Sequence, residues 1–295
     1  MSGPAAPAAA TPEPCVSVIV PVHRHWALVP ELLAALAAQA GGPPFEILLV
    51  NNDAPAAPPP LDLPGNARIL DGTTPGSYAA RNAGAAEARG RLLTFTDADC
   101  RPAPGWLAAL SAAAEATPEM LLAGPVEMRP PPDPNPYVIY DLVRGIPQAR
   151  YVARGYATTA NLAVPANVFR ALGGFDPARR SGGDAAFCRR AGRAGHAIRL
   201  IPEAVVGHPC RADWDALATK ARRIKGGQIR AGPLPLRLAW LLRSLAPPVR
   251  DTRAYLASPH PWRFRRTAIA VRFRLWGVEL AETARLLAGA EPERR

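Results

Sequence analysis

The sequence predicts an α/β fold in which a Rossmann-like sheet is flanked by helices and followed by a basic, mainly helical C-terminal extension. Short apolar runs rich in β-branched residues alternate with segments of helical periodicity, which is typical of a doubly wound sheet covered on both faces. Acidic and amide side chains follow directly after several of these runs. Positive charge is concentrated late in the chain: residues from Ile201 onward include 18 basic and 8 acidic side chains, against 17 and 16 before them.

The first half of the chain contains the predicted strands and helices of the sheet. Residues 1–14, rich in Ala and Pro, are predicted to be a disordered tail, so that structure should begin at Cys15. Strands are predicted at VSVIVPV, FEILLV, ARIL and RLLTFTDADC. Helices are predicted where leucines recur between Leu28 and Leu36, and in YAARNAGAAEARG, which is rich in helix formers.

The second half starts afresh after a helix at GWLAALSAAAEA and the proline-rich stretch MRPPPDPNPY. A strand and a short helix are predicted in ATTANLAVPANVFRALGGFD, followed by the segments SGGDAAFCRRAGRAGHAI and RLIPEAVVGHP. These elements extend the predicted catalytic domain over residues 15–210 and leave residues 211–295 as the basic helical region.

The end of the RLLTFTDADC run has two acids one residue apart, Asp97 and Asp99. An i, i+2 pair at a strand end can direct both carboxylates to one point, and hard oxygen ligands of this kind suit Mg²⁺ or Mn²⁺. The alternative is a solvated turn, in which Asp is a common residue. The pair alone does not decide between the two.

The number and spacing of the cysteines indicate the redox compartment in which the protein is expected. Cys15, Cys100, Cys188 and Cys210 are widely spaced and form no CxxC pair, so a disulfide framework or a zinc site is not indicated. Without a recognisable signal peptide, the sequence predicts a cytoplasmic protein with reduced thiols.

Six segments, in this order, carry a resemblance to a known family: VSVIVPVHR, EILLVNND, GSYAARNAGAAEARGRLLTFTDADC, NLAVPANVFRALGGFD, GGDAAFCRRAGRAGHAI and VVGHP. Together they resemble the family 2 glycosyltransferases of GT-A fold, from Val16 to about His208. The resemblance implies a mixed sheet and an enzyme that transfers a sugar from a nucleotide diphosphate donor, with UDP- or GDP-sugars expected.

The resemblance also implies a donor site. Pro21 and the neighbouring strand end would line the nucleoside pocket, while Asn51, Asn52 and Asp53 stand where the family has an acidic run that recognises base and ribose. The two Asn residues depart from that pattern, although an amide can pair with a base edge. Arg81 matches the family's Ala-Arg-Asn, on a helix whose N-terminus would favour phosphate oxygens.

The resemblance also implies a metal site and a catalytic base. Asp99 is expected to bind Mn²⁺ or Mg²⁺ directly, with Asp97 holding ribose or a metal-bound water and His208 as a further metal or diphosphate contact. Asp184 matches the family's catalytic aspartate, with Gly183 where Glu is common. The implied reaction is a single displacement with inversion, in which Asp184 removes the acceptor hydroxyl proton; the alternative for Asp184 is a helix N-cap.

The basic C-terminal region lies beyond the resemblance. KARRIKGGQIR could reach the donor diphosphate, and two helical stripes with arginines beside them could pack on the domain or lie on an anionic membrane surface. One stripe contains Leu238, Leu241, Leu242 and Leu245; the other contains Ile269, Phe273, Trp276, Leu280 and Leu287. Neither approaches the roughly 20 apolar residues of a membrane span.

The expected acceptor is a glycolipid, a polysaccharide precursor or another glycoconjugate, and the expected location is cytoplasmic, with peripheral membrane association as an option. Two alternatives remain open on the sequence: a nucleotidyltransferase of related fold, and a non-catalytic module that binds lipid or nucleic acid. A nucleic-acid partner is not favoured. The loop PVHRHW contains no glycine, which weakens the nucleotidyltransferase alternative.

Overall fold

The computed structural model describes residues 13–53, 56–230 and 234–292. All but two residues of the predicted N-terminal tail, and three residues at the C-terminus, lie outside the described residues. Strands come first in the chain and helices last, so that a sheet-based part is followed by a wholly helical part.

The strands are β1 (Val16–Val22), β2 (Phe45–Asn51), β3 (Ala67–Asp71), β4 (Leu92–Phe95), β5 (Arg101–Pro102), β6 (Leu121–Ala123), β7 (Val126–Arg129), β8 (Leu162–Pro165), β9 (Ile198–Leu200) and β10 (Val206–Pro209). The helices are α1 (Val29–Ala37), α2 (Ser77–Glu87), α3 (Trp106–Ala116), α4 (Pro136–Arg144), α5 (Gln148–Val152), α6 (Ala166–Ala171), α7 (Gly183–Arg193), α8 (Trp214–Arg230), α9 (Leu234–Leu245), α10 (Val249–Leu256) and α11 (Trp262–Leu287).

Seven strands form the central sheet in the order β3-β2-β1-β4-β8-β6-β9. The pairs β1–β2, β2–β3, β1–β4 and β6–β9 are parallel, whereas β8 runs antiparallel to both of its neighbours. This is the mixed sheet flanked by helices that the sequence predicts. Because β1, β2 and β4 are parallel, their carboxyl ends meet at one edge of the sheet, which is where ligands bind in such folds.

Both faces of the sheet are covered, which explains the uniformly apolar strands. On β1, Val18 and Val20 join a core with α1 and α3, while Ile19 joins a second core with α2, α6 and α7. Phe95 on β4 belongs to the second core, where it packs at 5.1 Å between ring centroids on Phe175. The strands therefore cannot show the polar alternation of a one-sided sheet.

A small second sheet, in the order β5-β10-β7, lies immediately after the carboxyl end of β4. β10 runs antiparallel to β5, with Gly207 opposite Arg101. In this register the following residue, His208, comes beside the segment that contains Asp99 and Cys100. A residue more than one hundred positions later is thus brought to the edge where β4 ends.

The last helices pack on the sheet-based part through α4. A third core contains Tyr140 and Val143 of α4, Leu217 and Ala221 of α8, Tyr255 of α10, and Ala268, Val271 and Leu275 of α11. The buried face of α11 is therefore offset from the stripe predicted on it, and Phe273 of that stripe is 41% exposed. Among the described residues, no helix combines the length and the apolar character that a bilayer crossing requires.

Candidate active site

Four side chains converge in the turn after β4. One ligand atom from each of Asp97, Asp99, Cys100 and His208 lies within 4.8 Å of the others. The turn is closed by the Cys100 N–H, which donates to the Asp97 carbonyl at 3.0 Å. Asp97 and Asp99 remain 34% and 23% exposed, so a ligand can reach them. The spacing and the two carboxylates beside an imidazole fit a divalent ion such as Mn²⁺.

His208 offers its Nε2 atom to this group. The imidazole is buried, and its Nδ1 lies 2.7 Å from the Pro209 carbonyl oxygen. Because a carbonyl can only accept, Nδ1 carries the proton and Nε2 retains its lone pair. Nε2 lies 3.8 Å from Asp99 Oδ2. This tautomer is the one in which a histidine coordinates a metal through Nε2.

Cys100 is the member of this group that the sequence reasoning missed. Its thiol is fully buried, 4.0 Å from Asp99 Oδ1. Burial raises the pKa of the thiol well above its usual value, and the neighbouring Asp97 and Asp99 carboxylates raise it further. The position directly after Asp99 was the available signal, but the spacing of the cysteines was considered only for disulfide and zinc patterns.

Arg81 connects α2 to the acidic pair. The side chain is 4% exposed, its Nη2 donates to Asp97 Oδ1, and its Nη1 donates to the Ser77 carbonyl at 3.2 Å. A buried guanidinium with a fixed carboxylate partner orients that partner strongly. Arg81 therefore positions Asp97, and its predicted contact with donor phosphate stays a prediction.

The predicted nucleoside-pocket residues lie together at the ends of β1 and β2. Pro21 is opposite Val50 in the strand register, and Asp53 lies 3.4 Å from His23 Nδ1. The Asn52 amide oxygen accepts a hydrogen bond of 3.1 Å from the Gly76 N–H, just before α2. The end of β2 is thus tied to the start of the helix that faces the donor side.

Asn51 is the most enclosed of these residues. It is 1% exposed, and its Nδ2 donates to the Ala56 carbonyl at 2.9 Å and to Asp71 at 3.3 Å. Its Oδ1 accepts from the Asp53 N–H at 3.1 Å. The Asn51 side chain therefore shapes the loop that presents Asp53, and its predicted contact with the donor base stays a prediction.

Asp184 lies in the first turn of α7. The N-cap position is Gly182, so the alternative interpretation of Asp184 as N-cap is wrong. The Tyr78 hydroxyl donates to Asp184 Oδ1 at 3.3 Å. Burial raises the pKa of Asp184, an effect that the hydrogen bond from the Ala185 N–H and the charge of Arg81 only partly oppose. A carboxylate with a raised pKa is a stronger base, as general base catalysis requires.

Gly183, where the family commonly has Glu, is explained by Tyr78. A Cβ atom at position 183 would lie 2.6 Å from the Tyr78 ring. Tyr78 belongs to α2, three residues before Arg81, whose guanidinium lies 5.8 Å from the ring centroid. One face of α2 therefore links the acidic pair to Asp184. Sequence reasoning named Arg81 and missed Tyr78, although the i, i+3 spacing places both on that face.

The chain is similar to known glycosyltransferases along most of its length. The family model described as glycosyl transferase family 2 matches residues 17–180. Glycosyltransferase AglE of Haloferax volcanii is 30% identical over 225 residues, which cover 74% of this chain and 74% of AglE.

Solved structures support the fold. The mannosyltransferase PcManGT from Pyrobaculum calidifontis, in complex with GDP-Man and Mn²⁺, is 17% identical with a TM-score of 0.54, covering 95% of this chain and 89% of that one. TarS 1-349 of S. aureus, in complex with UDP, is 15% identical with a TM-score of 0.51, covering 93% and 92%. The family decides against the nucleotidyltransferase and the non-catalytic alternatives. The chain belongs to glycosyl transferase family 2 and is a glycosyltransferase of GT-A fold.

Proposed function

We propose that this enzyme is an inverting, metal-dependent glycosyltransferase that moves a sugar from a UDP- or GDP-sugar to an acceptor hydroxyl. The observation that carries the proposal is the convergence of Asp97, Asp99 and His208 at the end of β4, joined through Arg81 and Tyr78 to Asp184. The solved relatives in complex with UDP, or with GDP-Man and Mn²⁺, support the donor class.

Asp99 and His208 Nε2 are the proposed direct metal ligands, with Asp97 beside them. A bound Mn²⁺ or Mg²⁺ would neutralise the charge that develops on the nucleoside diphosphate as it leaves. Arg81 holds the Asp97 carboxylate in place. This contact supports the role that the resemblance implies for Asp97, in which its carboxylate would hold ribose or a metal-bound water.

Asp184 is the proposed general base. Its raised pKa favours uptake of the proton from the acceptor hydroxyl as that oxygen attacks the anomeric carbon. The Tyr78 hydroxyl and the Ala185 N–H both donate to Oδ1 and so hold the carboxylate in place. A single displacement of this kind inverts the anomeric configuration.

The proposed donor contacts at the nucleoside end are Pro21, Asn51, Asn52 and Asp53. Asp53 is partly exposed and lies 3.7 Å from Arg24 Nε, so its carboxylate is available to ribose or base. The side chains of Asn51 and Asn52 act mainly by accepting hydrogen bonds from backbone N–H groups, those of Asp53 and Gly76 respectively. Base preference would then depend on the loop around Asp53 rather than on the two amides.

We further propose a glycolipid or polysaccharide-precursor acceptor and a peripheral position on an anionic membrane surface. The support is α9, on which Leu234, Leu238, Leu242 and Leu245 are exposed at spacings of one helical face. Arg237 lies in the same helix, and its guanidinium donates to the Ile229 carbonyl at 2.7 Å. Exposed leucines beside arginines suit the interface of an anionic bilayer.

Calorimetric titration with UDP, GDP and other nucleoside diphosphates, with Mn²⁺ and with EDTA, tests the donor and metal assignments. The expected result is binding of one nucleotide that Mn²⁺ strengthens, and loss of this metal-dependent gain in Asp99→Asn. Asp133→Asn, at an exposed site, is the control for the same change of charge. Binding of no nucleotide in either condition, or equal gain in both variants, would contradict the proposal.

A further inference from the structure

Cys100 brings a sulfur atom to the group of side chains at the end of β4. Its thiol is fully buried and lies 4.0 Å from Asp99 Oδ1 and 4.0 Å from the Ala160 carbonyl oxygen. One ligand atom from each of Asp97, Asp99 and His208 lies within 4.8 Å of this sulfur. The site therefore offers a sulfur atom beside its oxygen and nitrogen atoms.

The backbone places Cys100 and His208 opposite each other. In the antiparallel pair of β5 with β10, Gly207 is opposite Arg101, the first residue of β5. Continued by one residue, this register puts His208 opposite Cys100. Side chains at opposite positions of an antiparallel pair lie on the same face, with their Cβ atoms roughly 5 Å apart. The closeness of the thiol to the imidazole therefore follows from the strand register as well as from the side-chain positions.

The lone pairs beside this sulfur are arranged as a cation requires. His208 is buried and its Nδ1 donates to a backbone carbonyl, so the lone pair of Nε2 faces Asp99 Oδ2, 3.8 Å away. Two acceptors that face each other away from bulk water are costly, and an ion between them offsets that cost. Arg81 Nη2 donates to Asp97 Oδ1, so this oxygen already has a cation of the protein beside it. We therefore expect the ion closest to Asp99, His208 and Cys100.

We propose that Cys100 is a sulfur ligand of the divalent ion and that it makes the site select transition-metal ions over Mg²⁺. This inference rests on the proposed function, in which Asp99 and His208 bind that ion. Sulfur and imidazole ligands favour transition-metal ions, whereas Mg²⁺ requires oxygen ligands and retains several waters. On binding, the ion takes the place of the thiol proton, which is released to water. Of the two ions in the proposed function, Mn²⁺ is then preferred.

Absorption titration of the full chain with Co²⁺, in buffer without added thiol, tests the sulfur ligand. A bond between Co²⁺ and a thiolate gives a charge-transfer band in the near ultraviolet that carboxylate and imidazole ligands do not give, so the band reports sulfur coordination independently of activity. We expect the band in the parent protein and its loss in Cys100→Ser and in Asp99→Asn. Cys15→Ser is the control, because it removes a partly buried thiol that precedes β1, and it should retain the band.

Competition between Co²⁺ and Mg²⁺ measures the selectivity of the site. Cys100→Ser puts a hard oxygen in place of the sulfur, so the ratio of Co²⁺ affinity to Mg²⁺ affinity should fall by roughly tenfold or more. Cys15→Ser should have the same ratio as the parent. An unchanged ratio in folded Cys100→Ser, or an equal fall in Cys15→Ser, would contradict selection by Cys100.

Absence of the band in the parent, or a band that survives in folded Cys100→Ser, would overturn the inference. If Cys100→Ser does not fold, Asp99→Asn decides, because a band from a thiol elsewhere would survive in that variant. A parent in which Mn²⁺ strengthens nucleotide binding but Co²⁺ gives no band contradicts the assignment of Cys100 alone. A parent in which no metal strengthens nucleotide binding contradicts the proposed function.

Discussion

The carboxyl edge of the sheet and the C-terminal helices present polar groups in different ways. At the edge, residues that act together are adjacent in short motifs, and parallel strands bring the motifs to one place. In the helices, arginines and leucines occur on every segment, and packing on α4 decides which of them are buried. The difference teaches that contiguous motifs reveal a site directly, whereas amphipathic helices reveal only that some face must be covered.

The largest expected effect is that of Asp184→Asn at the sheet edge. Removing a general base should lower the rate of transfer by about 10²- to 10⁴-fold, with donor affinity unchanged. Steady-state kinetics measures the rate of transfer, and nucleotide titration measures the donor affinity. Since burial raises the pKa of Asp184, kcat/KM should fall as the pH drops through a value above the ordinary Asp pKa of about 3.9.

The stability of the same variant distinguishes loss of the base from loss of the fold. A raised pKa in the folded state means that folding binds the Asp184 proton more tightly, so stability decreases as the pH rises from the unfolded pKa through the folded pKa. Above that window the parent has the penalty of a buried carboxylate and the Asn variant does not. The variant should therefore be at least as stable as the parent at neutral pH; lower stability together with lost activity would contradict the assignment.

Leu275→Ala tests whether the helices are an integral part of the fold. Leu275 is 3% exposed in the core shared by α4, α8, α10 and α11, and truncation at such a site should lower the free energy of unfolding by about 2–5 kcal/mol. Leu242→Ala, at a side chain that is 68% exposed, is the matched control and should change it by less than about 0.5 kcal/mol. Equal effects in denaturant titration would contradict this packing.

Gly183→Ala tests the link between Tyr78 and Asp184. The new methyl group would lie 2.6 Å from the Tyr78 ring, and such overpacking should cost about 1–3 kcal/mol of stability. Transfer should fall more than nucleotide binding, because Tyr78 contacts the base. Gly192→Ala in the same helix meets no atom within 4 Å and should be neutral or stabilising by up to about 1 kcal/mol. If Gly192→Ala also lowered the stability, the loss in Gly183→Ala could not be assigned to the contact with Tyr78.

The smallest expected effect concerns α9 on anionic vesicles. Co-sedimentation with phosphatidylglycerol vesicles should decrease as salt rises, because ionic strength screens the attraction. Leu242→Glu should weaken binding to the vesicles severalfold, because it removes an apolar contact with the bilayer and adds repulsion between the new carboxylate and the anionic lipid. Leu287→Glu, at a 62% exposed site on α11, is the control. Salt-independent binding, or equal loss in both variants, would argue against α9 as the membrane-binding face.

The sequence predicted much of the sheet edge and little of the way its side chains are connected. Asp97, Asp99 and His208 were named from motifs and lie together. Tyr78 and Cys100 were missed, because one acts through a contact with a residue 106 positions away and the other was judged by spacing alone. In the C-terminal region the stripe predicted on α11 was offset from the buried face, since arginines and apolar residues alternate there too closely for periodicity to select one face.

By itself the sequence determined the order of the strands and helices as far as β4, the acidic pair that follows β4 and the excess of positive charge late in the chain. These follow from local composition and from the two-residue and 3.6-residue repeats of strands and helices. Only the tertiary structure decided that β10 brings His208 to Asp99, that Arg81 holds Asp97, and that Arg144 and Arg211 both lie beside the Asp141 carboxylate. Such contacts join residues far apart in the chain, and their free energy depends on burial and distance, which the order of residues does not contain.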